Sequence, residues 1–305
     1  MRDILIIIFD CLRQDQALTV PALREFMESA RSYPDALSAG TGTPQAVAGI
    51  LFGGDQLLAY EEGTFSLAPQ ARSLAEMLPT EYSSGFFTGN HMLSNFPMLH
   101  RGFGHVWMPK LTGTFCPVQG AEVFPHAQAW WQETKPPRFC YLHFFEPHPP
   151  YTTEIPMLPP TERVAGGYEA LRMSQEEYDY LKTRAAAHAT STIPPLLEGS
   201  LQMVGDETVV VVTSDHGQAF GEGNVCAHGP NPSKLLEDLD LTWQIPAVRR
   251  VPFAIRLPGE TPREVPGPTC VSWLGKYLAP HVGILTAEDE RRTIIEQLQG
   301  LGYIA

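Results

Sequence analysis

The sequence lacks the features of a membrane-spanning, secreted or nucleic-acid-binding protein. No apolar run reaches the roughly 18–20 residues that a membrane helix needs. The N-terminal segment MRDILIIIFD ends its short apolar run at Asp10 and has no small-residue cleavage site, so a signal peptide is not indicated. Basic residues are scarce: 21 Lys and Arg stand against 34 Asp and Glu. The net charge of −13 argues against nucleic acid or an anionic membrane as a partner.

Paired cysteines are also missing. The five cysteines are irregularly spaced and form no CxxC pair. This favours a reduced, cytoplasmic protein whose thiols, Cys11 among them, pack as small apolar side chains. The sequence shows no internal repeat and no linker, so we predict one domain over residues 1–305.

The chain contains an alternation of strands and helices. Continuous apolar runs predict buried strands at 4–10, 138–147, 207–215 and 251–259. Helical spacing predicts helices at 20–33, 120–137, 174–204 and 286–303, with 174–204 forming one helix or two divided at Pro194-Pro195. The Pro- and Gly-rich residues 147–170 predict a long surface loop. This order favours an α/β protein with a mostly parallel sheet.

Three predicted strands end in residues that can bind metal ions. These residues are Asp10, Glu146 with His148, and Asp215 with His216. Sites in open parallel sheets lie beyond the carboxyl ends of the strands, so distant strand ends can converge on one site. Carboxylate and imidazole ligands suit Ca²⁺, Mg²⁺, Mn²⁺ or Zn²⁺. The alternative is that Asp10 and Asp215 cap the helices that follow them.

Several segments, in order along the chain, resemble the sulfatase-like branch of the alkaline phosphatase superfamily. They are ILIIIFDCLRQD, SLAEML with GFFTGNHMLS and HRGFGHVW, FFEPHPPY, TSDHGQAFGEGNVCAHG, VPFAIRLPG and LQGLGYI. The resemblance implies a three-layer α/β/α fold with a large central sheet. It also implies a metal site built from Asp10, Asp215, His216 and a nucleophile.

The nucleophile is where this sequence departs from that family. Sulfatases carry Cys or Ser in a C/S-x-P-x-R motif, and that residue is converted to formylglycine. Here the segment GTGTPQAVAGILFGG places Thr43 at the matching position, with Thr41 as the near alternative and Val47 where the arginine would stand. Threonine cannot become formylglycine, so the chain resembles the relatives that attack phosphorus with a metal-activated hydroxyl. TGTP also suits a helix N-cap followed by Pro44.

The resemblance suggests roles for further residues. His148 and His228 match positions that contact the substrate's anionic group, and together with Glu146 they could bind a second metal ion. Arg13 could clamp a tetrahedral anion, and His91 lies where relatives carry a substrate-side residue. We interpret Asp15 as a structural partner near the site and His143 as a satisfied core histidine.

We therefore predict a metal-dependent hydrolase of small anionic phosphate or sulfate esters, with Thr43 as nucleophile and His228 assisting it. The alternatives are a phosphotransferase that uses the same residues, and a catalytically silent scaffold that binds metal or an anion. Only about 90 residues follow His216. This reduced C-terminal part leaves an open pocket, or one completed by another subunit in a homo-oligomer.

Overall fold

The structure is a computed structural model. It describes residues 1–53, 59–61, 64–67, 71–109, 118–149, 151, 174–224, 228 and 244–283. The predicted helix at 286–303 and most of the predicted loop at 147–170 lie outside these residues.

The strands fall close to the predicted apolar runs, with short additional strands between them. They are β1 Ile4–Phe9, β2 Arg31–Ser32, β3 Ala36–Leu37, β4 Ala59–Glu61, β5 Thr64–Ser66, β6 Ser83–Thr88, β7 His105–Trp107, β8 Arg138–Phe144, β9 Val209–Ser214, β10 Phe253–Arg256, β11 Arg263–Glu264 and β12 Thr269–Cys270.

The helices alternate with the main strands. They are α1 Gln14–Ala17, α2 Pro21–Glu28, α3 Thr43–Phe52, α4 Leu74–Met77, α5 Gly120–Glu133, α6 Gln175–Met203, α7 Pro246–Arg249 and α8 Leu274–Val282. Short 3₁₀ turns lie at His91–Asn95, Pro97–His100, Glu222–Asn224 and Val271–Trp273. Among the described helices, none has both the length and the apolar character required to cross a lipid bilayer.

Eight strands form the central sheet in the order β11-β2-β10-β9-β1-β8-β6-β7. Strand β1 lies between β8 and β9 and is parallel to both. Strands β6 and β7 continue the parallel part, whereas β10 runs antiparallel to both of its neighbours. Parallel strands need covering on both faces, which agrees with the uninterrupted apolar sequence of β1.

The two faces of β1 pack into two separate cores. Ile4, Ile6 and Ile8 pack in the core that contains the apolar residues of α3 and α8. Leu5, Ile7 and Phe9 pack on the other side with residues of α2, α5 and α6. Helices thus cover both faces of the sheet, and the predicted three-layer α/β/α fold with a mostly parallel sheet is confirmed.

Residues 174–204 form one helix rather than two. Ser174 and Glu177 make a capping box at the start of α6, and the helix continues through Pro194 and Pro195. Ile193 and Leu197 are buried in the core against the sheet. Tertiary packing of this face compensates for the backbone hydrogen bonds that the prolines remove.

Candidate active site

The ends of β1 and β9 bring the first two predicted metal ligands together. Phe9 pairs with Ser214 in the parallel ladder, so Asp10 and Asp215 leave the sheet side by side. One ligand atom each from Asp10, Asp215 and His216 lies within 4.8 Å of the others. His216 Nε2 lies 3.7 Å from Asp10 Oδ1 and 3.4 Å from Asp215 Oδ2, and all three side chains are fully buried.

These carboxylates are only half satisfied by hydrogen bonds within the described residues. Asp215 Oδ1 accepts the backbone N–H groups of Cys11 (3.0 Å) and His216 (2.8 Å), and Asp10 Oδ2 accepts Asn90 Nδ2 (2.7 Å). Asp10 Oδ1 and Asp215 Oδ2 are buried and receive no hydrogen bond in the described part of the chain. Two such oxygens beside an imidazole nitrogen are costly without a counter-charge, and they suit a divalent cation.

The local charges keep Asp10 ionised. Burial alone would raise the pKa of the Asp10 carboxyl, but nearby His148, His143 and His216 outweigh that effect and hold its pKa below the usual value. An ionised carboxylate is the form that binds a cation. The Asp10, Asp215 and His216 set therefore fits a metal ion both in its donor atoms and in its charge.

Thr43 lies beside this group at the start of α3. Its Oγ1 is 3.2 Å from His216 Nε2 and 3.4 Å from Asn90 Nδ2. Because His216 Nδ1 faces the Gly217 carbonyl at 2.9 Å and must donate to it, Nε2 is the acceptor and the Thr43 hydroxyl the donor. The helix cap is Gly42, and its backbone is extended, so the expected hydroxyl cap is not present at Thr43.

Two residues of this site were missed or misread in the sequence. Asn90 follows the end of β6 and donates to both Asp10 and Thr43; the strand-end rule applied to β6 would have found it. His143 is a buried core histidine as expected, and its Nδ1 pairs with the Tyr141 hydroxyl at 3.4 Å, but its place beside the carboxylates was missed. Its Nε2 lies 3.3 Å from Asp10 Oδ2 and 4.0 Å from Asp215 Oδ2, without a hydrogen bond of proper geometry among the described residues.

A cluster of histidines borders the carboxylates. His228 stacks on His216 with ring centroids 4.4 Å apart, and its Nε2 lies 3.2 Å from His148 Nε2. Burial, reinforced by the charges of His216 and His148, holds the pKa of His228 well below its usual value. Burial also lowers the pKa of His148 and of His91, which is buried in the 3₁₀ turn after β6. Burial thus disfavours the protonated form of these three imidazoles.

Glu146, predicted as a second-metal ligand, is used elsewhere. Both of its carboxylate oxygens accept the backbone N–H of Gly120 (2.9 and 3.0 Å), the first residue of α5. A carboxylate is favoured at the positive end of a helix. The predicted second site is thus left with the two imidazoles of His148 and His228.

Arg13 has a structural role in place of the predicted anion clamp. Its side chain is buried and donates to both oxygens of Asp15, at 2.8 and 2.7 Å. The Nη1 group donates to the Gln218 carbonyl (3.0 Å) and to Glu222 (2.8 Å). Arg13 therefore ties the segment after β1 to the segment that follows His216, and its guanidinium is occupied by protein acceptors.

The family follows from a comparison with known proteins. The family model described as Sulfatase matches residues 12–262. The chain belongs to the sulfatase family. This sulfatase-family chain is therefore a member of a family of ester-hydrolysing enzymes, and the resemblance seen in its sequence motifs is confirmed. A comparison with curated proteins gave no match.

Three solved structures share this fold. The sulfatase-family chain is 16% identical to BT1596, a 2-O GAG sulfatase, with a TM-score of 0.69 over 94% of this chain and 72% of that one. It is 17% identical to the phosphonate monoester hydrolase of Agrobacterium radiobacter (TM-score 0.61, 93% and 74% covered). It is 14% identical to the lipoteichoic acid synthase LtaP of Listeria monocytogenes (TM-score 0.61, 94% and 73% covered).

The structural role of Arg13 can be tested through stability. We expect Arg13→Gln to lower the free energy of unfolding by about 1–3 kcal/mol, because it removes charged hydrogen bonds at a buried position. The control is Arg24→Gln, whose side chain is 51% exposed and pairs with Glu28 at 4.0 Å; its effect should stay within about 0.5 kcal/mol. Urea unfolding measures both, and equal stability of the two variants would contradict the assignment.

Proposed function

We propose that the protein is a metal-dependent hydrolase of phosphate esters in which Thr43 is the nucleophile. The observation that carries the proposal is the position of Thr43 Oγ1. This atom lies 3.2 Å from Nε2 of His216, which adjoins Asp10 and Asp215, and Thr43 is the first residue of the buried helix α3. Unpaired backbone N–H groups at a helix N-terminus favour an incoming anion. An anionic ester that reaches Thr43 would therefore meet both a nucleophilic oxygen and a positive helix end.

Asp10, Asp215 and His216, with the Thr43 hydroxyl, are the residues that would hold a divalent cation. When bound, such a cation lowers the pKa of a hydroxyl it contacts and stabilises negative charge on phosphoryl oxygens. An imidazole in the ligand set favours Zn²⁺ over the oxygen-preferring Ca²⁺, Mg²⁺ and Mn²⁺.

The surrounding residues orient the nucleophile. Asn90 donates to Thr43 Oγ1 and to Asp10 at once, so it fixes the distance between the hydroxyl and that carboxylate. In the proposed reaction Thr43 Oγ loses its proton and forms a bond to phosphorus while the ester P–O bond breaks. The proton passes through water to the departing alkoxide, which leaves as the alcohol. Water then attacks the phosphothreonine, releasing phosphate and restoring the hydroxyl. We propose that the histidines bordering the carboxylates, namely His148, His91 and His228, contact the ester's anionic group.

The sequence favours phosphate over sulfate esters. Formylglycine forms from Cys or Ser, and this chain carries Thr43 there, with Val47 in place of the motif's arginine. The Thr43 hydroxyl can attack phosphorus directly and does not need that modification.

A phosphotransferase is the second candidate function. It shares every residue of the proposed site and differs only in the acceptor of the phosphoryl-containing group. The observation that favours it is the fold similarity to LtaP, a lipoteichoic acid synthase.

Replacement of the nucleophile gives the most direct test. We expect Thr43→Ala to lower phosphoester turnover by at least about 10³-fold, since groups that act as a unit lose their effect together. Thr41→Ala, two residues earlier, is the matched control and should lose far less. Turnover is measured with aryl phosphate monoesters, aryl phosphate diesters and aryl sulfates in the presence of several divalent metals. If the two variants behave the other way round, Thr43 is not the nucleophile. If the wild-type protein turns over none of these esters, the silent-scaffold hypothesis replaces the enzyme.

Metal binding is tested by removing one carboxylate. We expect Asp215→Ala to lose the bound cation, because only Asp10 and His216 remain of the three buried ligands. Asp206→Ala, at an exposed position just before β9, is the control and should keep wild-type metal content. Elemental analysis of dialysed protein measures both. Stoichiometric metal in Asp215→Ala would contradict the proposed metal site.

The partition between water and an alcohol separates the two candidate functions. If the protein is a hydrolase, adding glycerol to the aryl phosphate assay should leave inorganic phosphate as the main phosphorus-containing product. A transferase would convert a large share of substrate to glycerol phosphate. The two products are quantified by phosphorus NMR, and Thr43→Ala serves as the blank.

A further inference from the structure

The Cys11 thiol lies directly behind the histidine cluster. Cys11 follows Asp10, is 3% exposed, and has a φ of 62°, a backbone conformation that residues other than glycine rarely adopt. Its Sγ is 3.6 Å from His228 Nδ1 and 3.4 Å from Gln218 Oε1. Ligand atoms of Cys11, His216 and His228 all lie within 4.8 Å of one another.

Both ring nitrogens of His228 face hydrogen-bond acceptors, and a neutral imidazole can donate to only one of them. Its Nε2 faces His148 Nε2 at 3.2 Å, and that atom is an acceptor because His148 Nδ1 donates to the Pro149 carbonyl. Its Nδ1 makes a short contact with Gln218 Oε1, which is also an acceptor. A neutral imidazole carries one N–H and can serve only one of these two contacts. A cation bound at one of the two ring nitrogens would remove this conflict.

The Nδ1 side of His228, which faces Cys11 and is called the rear side below, offers more potential metal ligands than the Nε2 side. On the His148 side only two imidazoles face each other, because Glu146 is held by Gly120. On the rear side a sulfur, an imidazole nitrogen and an amide oxygen converge. With Zn–S of about 2.3 Å and Zn–N of about 2.0–2.1 Å, a tetrahedral zinc site needs an S–N separation of about 3.5–3.6 Å. The Cys11 Sγ to His228 Nδ1 distance is 3.6 Å.

We propose that Cys11, His228 and Gln218, with His216 beside them, form a second cation site that takes a thiophilic divalent ion such as Zn²⁺. This site adjoins Asp10 and Asp215. His216 lies close to both sets of ligand atoms, but its Nδ1 faces the Gly217 carbonyl and its Nε2 faces the two carboxylates, so it serves the first site. With the cation on Nδ1, the remaining N–H of His228 donates to His148 Nε2, so both contacts are satisfied. A thiolate ligand selects Zn²⁺, Co²⁺ or Cd²⁺ over Ca²⁺ and Mg²⁺. Thr43 takes no part in this site, but His228 is shared with the proposed ester contacts, so cation binding is measured separately from ester turnover.

The test uses Co²⁺ added to the metal-free protein. We expect the near-ultraviolet charge-transfer absorption of a cobalt–thiolate bond in the wild-type protein and its loss in Cys11→Ser. Cys140→Ala is the matched control, since Cys140 is a buried thiol within β8 that pairs with Leu5; it should keep the absorption. Thr43→Ala should also keep it while losing ester turnover, which separates this site from the proposed catalytic function.

The proposal is overturned if wild-type protein binds cobalt without thiolate absorption, or if Cys11→Ser retains that absorption. The second outcome would assign the thiolate to another cysteine. X-ray absorption of the zinc-loaded wild-type protein gives a result that depends on no variant. A sulfur neighbour at about 2.3 Å supports the site, and a shell of nitrogen and oxygen alone overturns it.

Discussion

The parallel pairing of β1 with β9 is the constraint on which the candidate site depends. It places Asp10 and Asp215 at adjacent strand ends, fully buried, with one oxygen of each left without a hydrogen bond in the described residues. Two carboxylates this close repel each other and lose solvation, so the fold tolerates them only with compensating positive charge. The Asn90 amide and the two backbone N–H groups on Asp215 supply part of this compensation through their dipoles.

The part of the site that could be predicted is the part encoded locally. Asp10 and the Asp215–His216 pair follow unmistakable buried strands, and parallel strand ends share one edge of a sheet. The helix at Thr43 was also visible from its own sequence, and the three-layer fold followed from the alternation of elements and the family resemblance. These inferences needed no knowledge of contacts between distant segments.

The predictions that failed concern long polar side chains whose partners lie far away in sequence. Glu146 accepts from Gly120, and Arg13 donates to Gln218 and Glu222, more than 200 residues away. A motif places such a side chain near a site but does not give its direction. The proximity of His143 to Asp10 was missed for a related reason: its position inside β8 indicates burial, and only the lateral order of the strands shows that Asp10 is its neighbour.

Helix α3 has a consequence for how this protein can vary. All of its residues except Gln45 are buried, and a methyl group on Gly49 would come within 2.1 Å of Ala39. The hydroxyl of Thr43 is thus mounted on the hydrophobic core itself, with no mobile loop between the two. Small repacking changes deep behind the helix would displace that oxygen by fractions of an ångström. Substitutions in the core behind α3 should therefore reduce the reaction rate before they unfold the protein. Both catalysis and stability then limit which residues can occupy those positions.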